Sequence, residues 1–410
     1  MIRSTFKFLL AIILFSACAD AIEEADVNQS QNIEGQWLGT ITLSDSIDLN
    51  FDFTLAEAEG GNYAFRIQNA GNVVEAQMLA MEADSFFKVE VPVFANYLLV
   101  KLGDSTMSGF YYNPDAEDYK LPFEAEMSTQ SRYPLAAIDP ALSGNYRMDF
   151  SANTDDENSA LAHLEIVGEK VYGSIMTETG DYRFLEGGIS DGLAQLSTFD
   201  GGFLYYFRFE MGDTLRGTFF SGRTYQEDFI AYRDDSFSLR NADSLTFIKE
   251  DYDGLAFSFP NLKGDTISLN NPEFAGKPVI VQIMGSWCPN CLDESLYLKE
   301  QYEQYHKDGL EIVGLTFERA RTYEMALKRA SKMERDLALP YPILLAGATR
   351  DDKAAELLPM LNHVMSYPTS IYLNRQHEVV KIHTGFAGPG TPVYEDFVAE
   401  NDKFIQSLIH

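Results

Sequence analysis

Between residues 33 and 235 apolar and polar positions alternate in short runs: WLGTITL at 37–43, LNFDFTL at 49–55, YAFRIQ at 63–68 and FFKVEVPVF at 86–94. Successive strand side chains point to opposite faces, so each run predicts a half-buried β-strand. Gly, Asn and Asp punctuate the runs, and helical periodicity is nearly absent. Beyond residue 250 the pattern changes. Val279-Ile-Val-Gln-Ile-Met284 is apolar apart from Gln282 and follows Gly276-Lys277-Pro278. Such a run predicts a strand buried on both faces, as in a parallel sheet. Leu292, Leu296, Leu298, Tyr302 and Tyr305 then predict a helix over 292–307. Strands over 311–316, 343–345, 370–373 and 379–383 alternate with helices over 322–337, 353–361 and 394–409. That alternation predicts a three-layer α/β domain.

The first region repeats itself. Gly35-Gln36-Trp37 corresponds to Gly144-Asn145-Tyr146. FANYLLVKLGDSTMSGFYYN from Phe94 corresponds to FLYYFRFEMGDTLRGTFFSG from Phe203; each holds an apolar strand, a Gly-Asp turn, and a Gly followed by aromatics. Tyr119, Phe123 and Ala125 match Tyr225, Phe229 and Ala231 at an offset of 106. The expected architecture is multidomain. Two related antiparallel β units, 33–130 and 140–235, of sandwich or open-barrel type, precede an α/β unit over 250–410. The β units contain no cysteine and one histidine, His163. Their aromatic pairs Tyr111-Tyr112 and Tyr205-Tyr206 face either a core or a partner. The expected role of this region is a spacer or docking module.

The N-terminus changes the picture. MIRSTFKFLLAIILFSAC carries Arg3 and Lys7, an apolar stretch, and small residues before Cys18. This predicts a secretory signal peptide over 1–17. Phe-Ser-Ala-Cys resembles a bacterial lipobox, which implies lipidation at Cys18 and anchoring to a membrane outside the cytoplasm. The acidic, polar stretch over 18–32 reads as a tether. The formal net charge is −31, which repels phosphate and excludes nucleic acid as a partner. From Ala19 to Glu250 there are 40 acidic and 14 basic residues, against 22 and 15 from Asp251 onward. The chain changes character where its hydrophobic pattern does.

Chemistry is concentrated in Cys288-Pro289-Asn290-Cys291, between the buried strand and the first helix. Unsatisfied N–H groups and the dipole at a helix start favour an anion, which predicts Cys288 as the nucleophilic thiolate. Cys291, one turn further in, would resolve a mixed disulfide. A zinc site needs two further ligands, and no other cysteine remains beyond Cys18 to supply them, so no metal is expected. A structural bridge closing so short a loop would remove little chain entropy.

Trp287-Cys-Pro-Asn-Cys291 after an apolar strand resembles a thioredoxin-fold active site, that of the TlpA-like periplasmic thiol–disulfide oxidoreductases. Glu294 matches that family's buried acid, Tyr367-Pro368-Thr369 its cis-proline, and Gly385-Phe-Ala-Gly388 its final turn. The run from Phe257 to Leu269 is similar to its opening hairpin. The resemblance implies a proton-relay role for Glu294 and a cis bond at Pro368 beside Cys288. It also implies Tyr367 backbone groups free to hold a substrate strand, and shielding of the cysteines by Trp287. It implies further a redox-active Cys288–Cys291 disulfide with no other cofactor. Protein disulfides would be the substrates, apocytochrome c among them, with a membrane thiol carrier as electron donor and net reduction as the direction. Leu296 stands where the family often has Pro, and Gln282 where thioredoxin itself carries a buried Asp. Two other readings stand beside this one. Peroxiredoxins share the fold but need Thr three residues before the reactive cysteine, where this chain has Gly285. Alternatively the β units act as a surface binding lipoprotein with a secondary redox unit.

Overall fold

The computed structural model describes residues 33–81, 85–114, 116, 118–348 and 354–410. The signal peptide, Cys18 and the tether lie outside the described residues.

Eight antiparallel strands, from Gly35–Ser44 to Lys120–Met127, close into a barrel. The first strand pairs with the last, with Gly39 opposite Ala125 and Ile41 opposite Phe123. Alternation along Gly35–Ser44 buries Trp37, Gly39, Ile41 and Leu43. An eight-stranded barrel is just wide enough to be filled by side chains. Here aromatics fill it, with Phe53 and Phe65 stacked at 4.1 Å between ring centres. A second barrel follows the same plan from Gly144–Phe150 to Tyr225–Arg233. It closes through Phe229 opposite Phe150 and Leu161 opposite Met176. The expected sandwich or open barrel is therefore corrected to two closed barrels. Closure removes the unpaired edges that an open sheet exposes. It depends on pairing between distant strands, which no local pattern reveals.

The aromatic pairs mostly serve this packing: Tyr111, Tyr205 and Tyr206 are buried, and Tyr112 stacks on Tyr97 at 5.2 Å. His163 is part-buried, its Nδ1 2.8 Å from Asn145 Oδ1. The two barrels are joined by Arg132, which is buried. Its Nε donates to Asp52 of the first barrel at 2.9 Å and its Nη1 to the Ser197 carbonyl of the second at 3.4 Å.

The α/β unit has a five-stranded sheet: β1 (Val279–Met284), β2 (Glu311–Phe317), β3 (Ile343–Gly347), β4 (Thr369–Leu373) and β5 (Val379–Thr384). Their spatial order is β3-β2-β1-β4-β5, with β1, β2 and β3 parallel and β4 and β5 antiparallel. All six residues of β1 are buried, as its unbroken apolar pattern requires. Helices α1 (Pro289–Tyr305), α2 (Tyr323–Leu337) and α4 (Tyr394–Ile409) supply Leu298, Met333 and Ile405 to one core with Ile280, Ile312 and Tyr372. On the other face Val281, Val313 and Ile371 share a core with Phe257, Phe274 and Leu358. The helix expected over 353–361 is reduced to the single turn α3 (Ala354–Leu357). One outer layer is thus built largely of irregular chain.

The barrels pack directly against this unit. Lys332 Nζ on α2 donates to the Val91 carbonyl at 2.9 Å, and Asp336 accepts from the Val93 N–H at 3.0 Å. The region expected to act as a spacer or docking module forms one compact unit with the α/β fold.

Candidate active site

Gly285-Ser286-Trp287 turns the chain from β1 into α1. The Ser286 N–H and hydroxyl donate to the Glu318 carboxylate at 2.9 and 2.6 Å, fixing the turn to the end of β2. Position 285 admits no side chain: a Cβ would fall 2.3 Å from Trp287 Nε1. Cys288 has extended backbone geometry and caps the helix, and Pro289 occupies the first turn, where its missing N–H costs nothing. The helix therefore starts three residues earlier than its apolar pattern suggests, and both cysteines lie at its N-terminus.

Cys288 Sγ accepts from the Cys291 N–H at 3.2 Å and donates to the Tyr367 carbonyl at 3.2 Å. The Tyr367–Pro368 peptide is cis. The carbonyl expected to receive a substrate strand is thus engaged by the cysteine itself. Cys288 and Cys291 are free and buried, the dithiol state of the pair. Burial pushes the Cys291 thiol well above its usual range, with the Cys288 sulfur and Glu294 adding to the shift.

Trp287 donates through Nε1 to the Phe317 carbonyl at 2.9 Å and meets Tyr367 edge-on at 5.3 Å. The Arg319 guanidinium lies 3.5 Å above its ring centre, a cation–π contact absent from the sequence reading. Glu294 is buried below the cysteines. It accepts from Gln282 Nε2 at 2.9 Å and from Ser370 Oγ at 3.0 Å. Burial raises its carboxyl to about 7, and the two hydrogen bonds oppose the rise. Gln282 thus stands beside Glu294 and supports it.

A second group at this site comes from the second barrel. Arg183, buried, donates from Nη1 to the Pro289 carbonyl at 2.9 Å and pairs with Asp293 Oδ2 at 2.8 Å. Its Nε lies 3.4 Å from Asp200. Asn290 Nδ2 donates to the carbonyl and to Oδ2 of Asp181, both at 3.2 Å. Burial lifts Asp293 to about 7, with Arg183 opposing and Asp181 and Asp200 adding. Burial also raises the Tyr205 hydroxyl, followed by Asp200, Tyr182 and Cys288, which brings this barrel tyrosine into the electrostatic reach of the cysteine. Apart from Tyr205, singled out as one of an aromatic pair, none of these barrel residues was expected. The repeat did contain a signal. The connection between third and fourth strands is residues 70–71 in the first barrel and residues 178–184 in the second.

A model of the Redoxin family matches residues 252–398, within the α/β unit. The chain is 28% identical over 177 residues to the thiol-disulfide oxidoreductase ResA of Halalkalibacterium halodurans, covering 43% of this chain and 84% of that protein. It is 30% identical over 125 residues to ResA of Bacillus thuringiensis subsp. konkukian, spanning 30% of this chain and 64% of that relative. Among solved structures, a putative thiol:disulfide interchange protein DsbE from Chlorobium tepidum aligns at 16% identity and a TM-score of 0.31, covering 40% of this chain and all of that one.

Proposed function

We propose that this chain is a thiol–disulfide oxidoreductase that reduces protein disulfides outside the cytoplasm, tethered to a membrane by lipid on Cys18. The similarity to proteins named thiol-disulfide oxidoreductases supports the enzyme class. The observation that carries the mechanism is the position of Cys288: at the cap of α1, its sulfur 3.2 Å from the Cys291 N–H and beside cis-Pro368.

In this reading the Cys288 thiolate attacks one sulfur of a substrate disulfide. An S–S bond forms to Cys288 and the departing substrate sulfur leaves as a thiolate. Cys291 then gives up its proton and attacks Cys288 Sγ. The Cys288–Cys291 bond forms, the mixed disulfide breaks, and the second substrate sulfur departs. Two electrons and two protons pass to the substrate, and the pair is left oxidised. An external dithiol, a membrane carrier in our reading, restores it. Glu294 is the group suited to take the Cys291 proton, because a carboxyl raised to about 7 is partly ionised at neutral pH. Trp287 and Tyr367 frame the approach to the sulfur. The substrates are protein disulfides, with apocytochrome c as one candidate.

The test is insulin-disulfide reduction by the full chain with dithiothreitol as regenerant, alongside hydroperoxide consumption. Reduction that disappears in Cys288→Ser, with a Cys291→Ser variant accumulating mixed disulfides through Cys288, is the expected outcome. Peroxide consumption without disulfide reduction would overturn the reading in favour of a peroxidase.

A further inference from the structure

Cys288 is only 4% exposed, yet the reaction proposed above requires a protein disulfide to reach its sulfur. A segment of the second barrel crosses this site. The strand Lys170–Thr177 of the second barrel turns and folds back as Gly180–Asp181. The segment running on to Arg183 lies across the three pieces of chain that surround Cys288. At the loop before Pro368, the Thr179 carbonyl accepts from Ser366 Oγ at 2.6 Å. At the final glycine turn, Asp181 Oδ2 accepts from the Gly388 N–H at 2.7 Å. Between the cysteines, Asp181 and Arg183 hold Asn290 and Pro289. The fit is close on both sides. A Cβ on Gly180 would lie 2.4 Å from Asn290 Oδ1, and one on Gly385 would lie 3.0 Å from the Glu178 carbonyl.

We propose that residues 178–183 are an internal competitor for protein substrate. The segment covers Cys288 in this state and must swing away before a disulfide can be attacked, with the Arg183–Asp293 pair as its latch. This rests on the oxidoreductase reading for its purpose but not for its geometry. The chemistry of the contact suits a release. It consists of hydrogen bonds and one buried arginine among carboxylates, and Asp200 Oδ2 has no hydrogen-bond partner. The desolvation of such ions offsets much of their mutual attraction, so the closed contact holds little net stability and water can replace it. The first barrel has only a two-residue turn at this place, so the segment is an addition to the repeat and not part of barrel closure.

The test labels the reduced full chain with N-ethylmaleimide and follows the Cys288 peptide by mass spectrometry. Arg183→Met removes the latch, and Gly180→Ala wedges the segment off Asn290 without removing a charge. Circular dichroism and thermal unfolding establish that each variant is folded. Wild-type labelling at least tenfold slower than in both variants is the expected result. Wild-type Cys288 reacting as fast as in the folded variants overturns the proposal, as does equally slow labelling in all three. Insulin reduction is measured in parallel. Faster labelling with no reduction by any form would sink the oxidoreductase reading and leave the cover standing. Equal labelling with active reduction would do the reverse.

Discussion

Gln282 Nε2 donates to Glu294 Oε2 at 2.9 Å, joining the centre of β1 to the first turns of α1 beneath the cysteines. Burial penalises a carboxylate here and, among the described residues, the Gln282 and Ser370 hydrogen bonds oppose it, so its ionisation is moved to about 7. Cys291, also buried, must lose a proton to resolve a mixed disulfide, and the two groups interact electrostatically. Glu294→Gln keeps the shape and removes the proton acceptor. Resolution is expected to slow by roughly 10²-fold, in the range of general base catalysis. The inflection near pH 7 should vanish from the rate profile, while the first attack by Cys288 changes little. Rapid-quench kinetics between pH 5.5 and 8.5 separate the two steps. An unaltered profile for the resolution step removes Glu294 from the mechanism.

The same burial makes stability depend on pH, and the sign can be worked out. Asp293 and Glu294 both sit at about 7 in the folded chain, above their ordinary values of 3.8 and 4.5. Between those limits the native state holds protons that the unfolded chain has lost. Their contribution is therefore complete below about pH 4 and disappears as pH rises through about 7. Glu186 and Asp243, held below the ordinary range, lose theirs only in more acidic solution. Thermal unfolding of the wild type should fall between pH 5 and 8 by an amount on the order of 3 kcal/mol for each raised group. Glu294→Gln is expected to flatten that slope. Parallel slopes for variant and wild type would exclude the assignment.

Much of the catalytic centre is visible in the sequence because its parts are local. A strand, a Gly-Ser-Trp turn and Cys-Pro-Asn-Cys lie within thirteen consecutive residues, 279–291, and β1 buries as its unbroken pattern demands. Strand alternation likewise announces both antiparallel β units. Two things stay hidden because they join distant residues. Barrel closure depends on Ile41 meeting Phe123. The proposed cover over Cys288 depends on Asp181 and Arg183 meeting residues more than a hundred positions away. No periodicity marks either event. The Asp-Tyr-Arg triplet at 181–183 reads as an ordinary polar turn until its neighbours are known.

The repeat makes a matched pair of stability tests. Gly109 and Gly217 occupy the same strand of the two barrels, facing Val100 and Phe209 across the sheet. A Cβ would come 2.1 Å from the Leu99 carbonyl and 2.2 Å from the Arg208 carbonyl. Backbone must move to admit it. Each Gly→Ala substitution is expected to destabilise the protein by about 1–3 kcal/mol, the usual cost of overpacking. Urea unfolding followed by circular dichroism measures both. A neutral effect at either position would mean that the strands there can separate freely.

Arg132 tests whether the barrels unfold as one body. Its guanidinium is buried between them, 2.9 Å from Asp52 on the first barrel and 3.7 Å from Glu186 on the second. Asp52, Glu186 and the Gln68 carbonyl all turn toward it. Arg132→Met leaves Asp52 facing an apolar side chain, while Glu186 keeps Lys170 and the Ala70 N–H. Removing one side of such a buried pair costs about 3–5 kcal/mol. The change should also split the barrels' joint transition, because the main ionic link between them is lost. Asp52→Asn added to Arg132→Met is expected to recover part of the loss, since it removes the stranded charge. Denaturant unfolding read by Trp37 fluorescence reports on the first barrel, because Trp37 is one of only two tryptophans and is fully buried there. Far-ultraviolet circular dichroism reports on the whole chain. Coincident transitions in wild type that separate in Arg132→Met support the coupling. Coincidence in both proteins, with no loss of stability, would show that the seam holds without the arginine.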